Sequence, residues 1–294
     1  MKIGNFIKMN KERIRITVIG NDKTGIVAKV TDFLFKKGLN IEDLNQTVME
    51  GKFIMNIEST IDKLKIPFEN FRKEIRELGE KIGMKIRAIR ERVLDKKKLA
   101  ILVTKEAHCL ERLIQDFKNK ALDIADPLII SNHEDLRGIA ESNNLEYKFF
   151  SSKEKLKSER KILKILDERG IDLVVLARYM QILSPEFCFR YEGRIINIHP
   201  SLLPAFPGPS PYLQGIEKGV SVFGVTSHFV TTDLDRGPII FQDSFSIDPA
   251  IKISRQEILK RGRELESNVL SRAVEYFVKD RIFLRWGKVC FKDS

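Results

Sequence analysis

Five short apolar segments, separated by stretches of helical spacing, run through the middle of this 294-residue chain. Continuous apolar runs of this length are typical of strands buried on both faces of a parallel sheet. The segments are Leu99–Val103, Pro127–Ser131, Glu146–Phe150, Asp172–Leu176 and Arg194–Ile198. Because strands that alternate with helices form parallel sheets covered on both faces, the pattern predicts a mostly parallel, doubly wound α/β domain.

Three further elements follow these segments. Ser221–Val230 and Pro238–Ile247 have the pattern of a late pair of strands, and Ser254–Lys279 has the spacing of a long amphipathic helix. Ile282–Phe291 is predicted to form a small hairpin. We therefore expect one α/β domain over residues 98–294.

A different pattern precedes this domain. Its segments are a strand at Arg13–Ile19, a helix from Ile26 to Gly38, strands at Asn40–Met49 and Lys52–Ile61, a helix between Pro67 and Gly83, and a strand at Met84–Val93. The order βαββαβ is that of a ferredoxin-like unit. The sequence therefore predicts a separate N-terminal domain over residues 11–94.

The composition is that of a soluble globular protein, with 43% apolar and 32% charged residues. No run approaches the roughly 20 apolar residues of a membrane span, and the N-terminus lacks the apolar core of a signal peptide. We therefore expect a cytoplasmic protein without membrane association. Cys109, Cys188 and Cys290 are widely scattered, which predicts reduced, packed thiols instead of a disulfide framework.

The net charge of +11 is spread along the whole chain, with acidic residues interleaved. This distribution favours a solvated surface over a basic arm for nucleic acid. A basic entrance to a binding site for an anionic small molecule is also compatible with this distribution of charge.

The densest set of candidate functional residues lies around the last strands of the predicted sheet. Asn197 and His199 come at the carboxyl end of a buried strand, where open α/β sheets bind ligands. Strand alternation places both side chains on one face. His228 ends a later strand, and Asp235 lies in a turn. Five prolines between positions 200 and 211 stiffen the intervening loop.

These residue types suit acyl or formyl transfer without a metal. Asn197 supplies a neutral N–H donor for a developing oxyanion, and a histidine such as His199 titrates near neutrality. Asp235 can hold that histidine charged or accept a proton from an attacking water or amine. For each residue alone the alternative interpretation is structural, a satisfied polar pair or a turn cap.

Three other chemistries have weaker support in the sequence. Ser201 beside His199 suggests a hydrolase triad, but the sequence has no Gly-x-Ser-x-Gly elbow. The four histidines and three cysteines lack zinc spacing, so we expect no metal site. Neither a Gly-x-Gly-x-x-Gly nor a Walker loop is present, which argues against dinucleotide or ATP binding.

The segment NIHPSLLP at Asn197–Pro204, followed by HFVTTDLDRGPII from His228, resembles the folate-dependent formyltransferase superfamily. The catalytic asparagine, histidine and aspartate of that superfamily fall on Asn197, His199 and Asp235. The resemblance implies a Rossmann-like formyltransferase domain that acts on 10-formyltetrahydrofolate, with no tightly bound cofactor.

Within the superfamily the chain is similar to formyltetrahydrofolate deformylases over nearly its whole length. The matching segments are LARYMQILSPEF (Leu176–Phe187), KEAHCL (Lys105–Leu110), SNHEDL (Ser131–Leu136) and GRELESNVLSRAV (Gly262–Val274). The N-terminal unit resembles an ACT domain, a regulatory module that these deformylases carry at the same place. The resemblance implies hydrolysis of 10-formyltetrahydrofolate to tetrahydrofolate and formate, in one-carbon metabolism and purine biosynthesis.

The same resemblance implies the positions of the substrate and of an effector. It places the pterin beside a set of residues in two loops, with His228 as a further polar group: Met180, Gln181, Ile182, Leu183, Val230 and Asp233. A small amino acid, glycine or methionine, is expected at the first turn and helix of the ACT-like unit, between paired domains of a homo-oligomer. Its contacts would be Asp22, Gly25, Ile26 and Val27. A dimerisation surface without an effector is the alternative.

Transfer of the formyl group to an amine, as in glycinamide ribonucleotide transformylases, is the alternative function. That family binds the substrate phosphate with a glycine- and serine-rich loop. The corresponding segment here, Thr104–His108, has larger side chains and an acidic residue, which disfavour a phosphate. Pro200 and Leu202 give a transferase-like HPSLLP where deformylases usually have HHSFLP. His108 and His133 match deformylase motifs without an assigned role, and His108 either shapes the acceptor pocket or caps its helix.

Two further hypotheses have less support. The intact Asn-His-Asp set disfavours a non-catalytic amino-acid sensor. The ACT-like unit and the missing tRNA-binding C-terminal domain disfavour a methionyl-tRNA formyltransferase.

Overall fold

The computed structural model describes residues 12–49, 51–62, 64–91, 96–248, 250, 253–285 and 287–292. The chain divides into two compact units, with the division between Asp95 and Lys96. The ends of the two predicted domains, at residues 11, 92–94 and 293–294, lie outside the described residues. Among the helices that are described, none combines the length and apolar character that a membrane span requires.

The first unit is a four-stranded antiparallel sheet with two helices. Its elements are β1 (Glu12–Asn21), α1 (Ile26–Lys36), β2 (Asn40–Met49), β3 (Lys52–Ile61), α2 (Phe68–Lys81) and β4 (Met84–Glu91). The strand order is β2-β3-β1-β4. Ile14, Ile16 and Val18 of β1 are buried together with Val30 of α1 and Phe71 of α2. The predicted βαββαβ order is confirmed.

A polar turn from Asn21 to Thr24 precedes α1. The helix begins after Gly25, which has a φ of 82°, and no side chain caps its first turn. The polar residues from Asn21 to Thr24 therefore form the turn without capping the helix.

The second unit contains a seven-stranded sheet of order β11-β10-β9-β8-β5-β6-β7. The strands are β5 (Leu99–Val103), β6 (Leu128–Ser131), β7 (Tyr147–Phe149), β8 (Leu173–Leu176), β9 (Ile195–His199), β10 (Val222–Phe229) and β11 (Ile239–Ser246). The pairings among β5 to β9 are parallel, whereas β10 is antiparallel to both neighbours. The mostly parallel sheet and the late antiparallel pair are both confirmed.

Helices cover both faces of this sheet. They are α3 (His108–Lys118), α4 (Arg137–Ser142), α5 (Lys155–Arg169), α6 (Pro185–Arg190), α7 (Pro211–Glu217) and α8 (Arg255–Val278), with a 3-10 turn at Ser152–Glu154. Leu99, Ile101 and Val103 of β5 pack in the core that includes α3 and α8. Ala100 and Leu102 of the same strand pack in the core that includes α5 and α6. This alternation explains why the central strands are apolar throughout.

The strand order places a topological switch point between β5 and β8. The chain moves from β5 outwards to β6 and β7, then returns to β8 and continues to β9 on the other side. Open α/β sheets bind ligands outside the carboxyl ends of their strands at such a point. A two-stranded hairpin, β12 (Ile282–Arg285) and β13 (Lys288–Phe291), follows α8 as predicted.

Candidate active site

The candidate site begins at the carboxyl end of β9. In the antiparallel pairing of β9 with β10, Asn197 lies opposite His228 and His199 lies opposite Thr226. The Nδ2 atom of Asn197 is 3.2 Å from Nε2 of His228. A register shift between Ser227 and His228 interrupts the ladder to β11 at this level. Such irregularities commonly redirect side chains beside active sites.

His228 is held as a neutral ring. Its Nδ1 lies 2.9 Å from the carbonyl oxygen of Phe229, an acceptor, so Nδ1 carries the proton and donates it there. Nε2 is then the acceptor for the Asn197 amide. Burial lowers the pKa of His228, against the raising effects of the Phe229 carbonyl and of Asp235. This arrangement fixes the orientation of the Asn197 amide and leaves its second N–H free for another acceptor.

His199 faces oxygen atoms at both ring nitrogens. Nε2 lies 2.9 Å from the carbonyl oxygen of Phe206, and Nδ1 lies 3.4 Å from Oδ2 of Asp235. The ring is buried, with 5% of its surface exposed. The Nδ1 contact is longer than an ordinary hydrogen bond, so this ring nitrogen can also contact another polar group.

Asp235 is positioned by two close backbone approaches. Its φ of 55° is left-handed, and its Oδ2 accepts a hydrogen bond of 3.0 Å from the backbone N–H of Gly208. Oδ1 lies 4.0 Å from Nε2 of His228. Two residues later, a Cβ on Gly237 would lie 1.7 Å from the carbonyl oxygen of Phe229. Only glycine allows the turn after Asp235 to pack this closely against β10.

The proline-rich loop between β9 and α7 supplies the backbone partners of this site. The hydroxyl of Ser201 hydrogen-bonds to the carbonyl oxygen of Ala205 at 2.5 Å. Thr226 of β10 accepts from the backbone N–H of Leu203 at 3.0 Å and donates to the Ser201 carbonyl at 2.7 Å. Ser201 thus stabilises the loop and is not part of a hydrolase triad with His199.

The structure brings Asn197, His199, His228 and Asp235 into one polar group, in which the two histidines are buried. At this sheet edge, the arrangement offers amide and imidazole N–H donors beside a carboxylate. These are the components that stabilise an oxyanion and move a proton.

The sequence relationships of the chain are consistent with this chemistry. A family model described as Formyl transferase matches residues 97–274, and one described as ACT domain matches residues 12–88. Formyltetrahydrofolate deformylase of Bacillus subtilis is 38% identical over 285 residues, which cover 95% of this chain and 93% of that protein. Its Escherichia coli namesake is 34% identical, with coverage of 93% and 96%.

The chain belongs to the formyltetrahydrofolate deformylase family.

Solved structures show the same relationship. A deformylase of Pseudomonas syringae has a TM-score of 0.65 at 32% identity and covers 98% of this chain and 97% of its own. A glycinamide ribonucleotide transformylase of Symbiobacterium toebii has a TM-score of 0.63 at 26% identity, but covers only 67% of this chain and 95% of its own. The predicted fold class, an N-terminal ACT domain followed by a formyltransferase domain, is confirmed.

The predicted pterin-binding residues lie in two loops of this deformylase-family domain. Met180 and Ile182, after β8, are 58% and 62% exposed, whereas Leu183 is buried. The backbone N–H of Met180 donates to Thr104 Oγ1 at 3.0 Å, and the Gln181 amide donates to the Met180 carbonyl at 2.8 Å. This loop therefore presents two large apolar side chains to solvent.

The second predicted loop follows β10. The backbone N–H of Val230 donates to the carbonyl oxygen of Ile195 at 2.9 Å. The carbonyl oxygen of Asp233 accepts from the backbone N–H of Arg236 at 3.2 Å. The side chain of Asp233 is exposed, and the exposed Leu234 follows it.

The four predicted effector residues lie in the ACT domain. Gly25 precedes α1 in a left-handed conformation, and Asp22 is exposed in the preceding turn. Ile26 is buried and Val27 is half-buried. They therefore occupy the first turn of α1 and the loop before it.

The deformylase-like domain contains a second polar group, around Glu266, that no pattern in the sequence indicates. Glu266 of α8 is 1% exposed, and its Oε2 lies 3.1 Å from Nε2 of His108 and 3.5 Å from Nε of Arg178. Its Oε1 accepts a hydrogen bond of 3.1 Å from the Tyr212 hydroxyl. We refer to these four residues as the Glu266 cluster.

The cluster keeps Glu266 ionised. Burial would raise its pKa, but the hydrogen bonds from His108 and Tyr212 and the charge of Arg178 together lower it. The thiol of the adjacent Cys109 is also close enough for a metal site with His108 and Glu266. However, burial raises the pKa of Cys109, and Arg178 already supplies positive charge to the carboxylate. The geometry therefore favours an ion-paired cluster over a cation site.

Proposed function

We propose that this chain hydrolyses 10-formyltetrahydrofolate to tetrahydrofolate and formate. The observation that carries the proposal is the convergence of Asn197, His199 and Asp235 at one sheet edge. Membership of the deformylase family supports water as the acceptor, because those relatives match both domains. The transformylase structures match little more than the second domain.

In the proposed reaction, the oxygen of a water molecule attacks the formyl carbon. Asp235 takes the proton of that water directly or through another water. The free N–H of Asn197 and the Nδ1–H of His199 donate to the oxyanion that forms. The C–N bond then breaks, the folate nitrogen takes up a proton, and formate leaves.

The experiment is an incubation of the purified protein with 10-formyltetrahydrofolate without any amine, with tetrahydrofolate and formate measured in parallel. Equal amounts of both products are expected. Consumption of the substrate only after addition of glycinamide ribonucleotide would instead establish a transferase. That second candidate is favoured by Pro200 and Leu202 in the HPSLLP segment.

We further propose that the pterin lies against Met180–Leu183 and the loop from Val230 to Asp235. The exposed apolar side chains of the first loop support this placement. No tightly bound cofactor and no metal are proposed for the reaction. In this proposal, residues 11–94 form the regulatory domain and residues 98–294 form the catalytic domain.

We also propose that glycine or methionine binds the ACT domain at Asp22, Gly25, Ile26 and Val27. The uncapped first turn of α1 supports this, because free backbone N–H groups at a helix start attract a carboxylate. Paired ACT domains would make the protein a homo-oligomer in the cytoplasm, without a nucleic-acid partner. Sedimentation at several protein concentrations tests the oligomeric state. A binding assay with RNA at low salt tests the expectation that nucleic acid is not a partner.

A further inference from the structure

The Glu266 cluster lies at the topological switch point of the sheet. His108 is the first residue of α3, which follows β5, and Arg178 follows the end of β8 by two residues. The two strands are adjacent and parallel. The crevice outside their carboxyl ends is where a doubly wound sheet accommodates a ligand. Here, two basic side chains converge at that place on one buried carboxylate.

Two residues of the cluster lie on or beside elements that carry residues of the candidate active site. Arg178 belongs to the same loop as Met180, which follows β8. Tyr212 belongs to α7, directly after the loop whose Phe206 carbonyl and Gly208 amide contact His199 and Asp235. In α8, a Cβ on Gly262 would lie 2.4 Å from the Tyr212 ring, so glycine there lets the hydroxyl reach Glu266.

Two nitrogen atoms of the cluster are buried and have no hydrogen-bond partner among the described residues, Nδ1 of His108 and Nε of Arg178. Both atoms face carboxylates beyond hydrogen-bond distance, Nδ1 of His108 at 3.8 Å from Oε2 of Glu106 and Nε of Arg178 at 3.5 Å from Oε2 of Glu266. Buried polar atoms without a hydrogen-bond partner are ordinarily satisfied by water. The side chains of His108 and Arg178 are only 16% and 22% exposed, so we expect a group larger than water that enters between them to displace one or the other. Either displacement removes a partner from a buried carboxylate, which is strongly unfavourable.

We propose that the Glu266 cluster is a specificity element that admits water to the formyl group and excludes amine acceptors. This inference rests on the proposed hydrolysis. With water, a C–O bond forms, the C–N bond to the folate breaks and formate is released. With an amine, a new C–N bond would form, the amine would lose a proton, and the folate nitrogen would gain one.

The left-handed backbone of Arg178 supports a dedicated role for its side chain. Its φ of 62° is uncommon for a residue other than glycine. The contact with Glu266 accompanies this conformation. Arg178→Gly therefore removes the side chain while the backbone keeps a conformation that glycine adopts freely.

The test is the partition of the formyl group between water and glycinamide, a small primary amine. Formate and formylglycinamide are measured for the natural protein, His108→Ser, Arg178→Gly and the double variant, each corrected for the reaction without protein. His133→Ser is the matched control, because His133 is a half-exposed histidine paired with Asp135 at 3.6 Å and remote in sequence from the cluster. Thermal melts establish that each variant is folded.

The expected result is formate alone from the natural protein and from His133→Ser. At least a tenfold rise in the ratio of formylglycinamide to formate is expected in the cluster variants. If a folded cluster variant loses hydrolysis, glycinamide should restore consumption of the substrate.

An unchanged ratio in folded, formate-producing variants would overturn the proposal, as would an inactive variant that glycinamide does not restore. Failure of the proposed function has a different signature, since the natural protein would then release no formate at all.

Discussion

The two histidines at the ends of β9 and β10 differ in the polar groups that face them. His199 faces the Asp235 carboxylate and the Phe206 carbonyl, both acceptors. His228 accepts from the Asn197 amide and is too deeply buried to charge easily. Two histidines on neighbouring strands thus have different surroundings, a carboxylate and a carbonyl for His199 and an amide and a carbonyl for His228.

Loss of either donor or base at this site should reduce turnover without unfolding the protein. We expect Asn197→Ala to lower kcat/KM by about 10²–10³-fold, the usual effect of removing one oxyanion donor. Asp235→Asn should lower it by about 10²–10⁴-fold, the usual contribution of a general base. Asp243→Asn, an exposed carboxylate on β11, is the matched control and should retain full activity. Steady-state kinetics and thermal melts measure both properties. Retained turnover in folded Asp235→Asn would rule out its proposed role.

The neutral state of His228 predicts a pH dependence of stability. The pKa of its ring is lowered in the folded protein, whereas in the unfolded chain it is about 6.5. Below that pH the unfolded chain binds more protons, so the free energy of unfolding should fall as the pH drops towards 5. His228→Gln should remove this contribution, which amounts to at most about 1.4 kcal/mol per pH unit.

Urea unfolding of the second unit at pH 7.5 and 5.5 measures the effect. His133→Gln is the control, since this half-exposed histidine lies outside the polar group of His228. Equal pH dependence in the natural protein and in His228→Gln would show that His228 is not held neutral.

At the scale of elements, the turn after β10 depends on one close approach. Gly237→Ala would force a Cβ onto the Phe229 carbonyl, 1.7 Å away, and would displace the segment that carries Asp235. We expect a loss of about 1–3 kcal/mol in the free energy of unfolding, with a fall in turnover that exceeds the loss of folded protein. Gly138→Ala is the control, because no atom lies within 4 Å of its added Cβ.

Thermal melts and kinetics on the same samples separate the two effects. Full activity in folded Gly237→Ala would contradict the coupling between this turn and Asp235.

Local patterns in the sequence predicted most elements. The strand Asn40–Met49 has the predicted bounds, because alternation in an antiparallel sheet is a local signal. The shared position of Asn197 and His199 was predictable because both residues lie on one strand. The Glu266 cluster was not, since His108 and Glu266 are 158 positions apart and neither lies in a metal or catalytic spacing. Contacts between residues so far apart in the chain arise from tertiary packing, which the periodicity of the sequence does not indicate.

At the scale of the whole molecule, the ACT domain predicts a response to amino acids. Glycine or methionine should raise the melting temperature, because a ligand that binds only the folded state stabilises it, by about 2.7 kcal/mol at 100 times Kd. Gly25→Ala should abolish the shift. Gly51→Ala is the control, as another exposed left-handed glycine, with no atom within 4 Å of its added Cβ.

Thermal melts with each amino acid and with an equal concentration of sodium chloride test this. The absence of a shift with both amino acids would leave the ACT domain with a structural role in pairing.

The central claim is that water, and not an amine, takes the formyl group. The most direct test is turnover of 10-formyltetrahydrofolate in ¹⁸O-labelled water without any amine, with the formate analysed by mass spectrometry. Hydrolysis should give formate equal in amount to tetrahydrofolate, with one oxygen from the solvent. Formate without the label, or no formate until an amine is added, would contradict it.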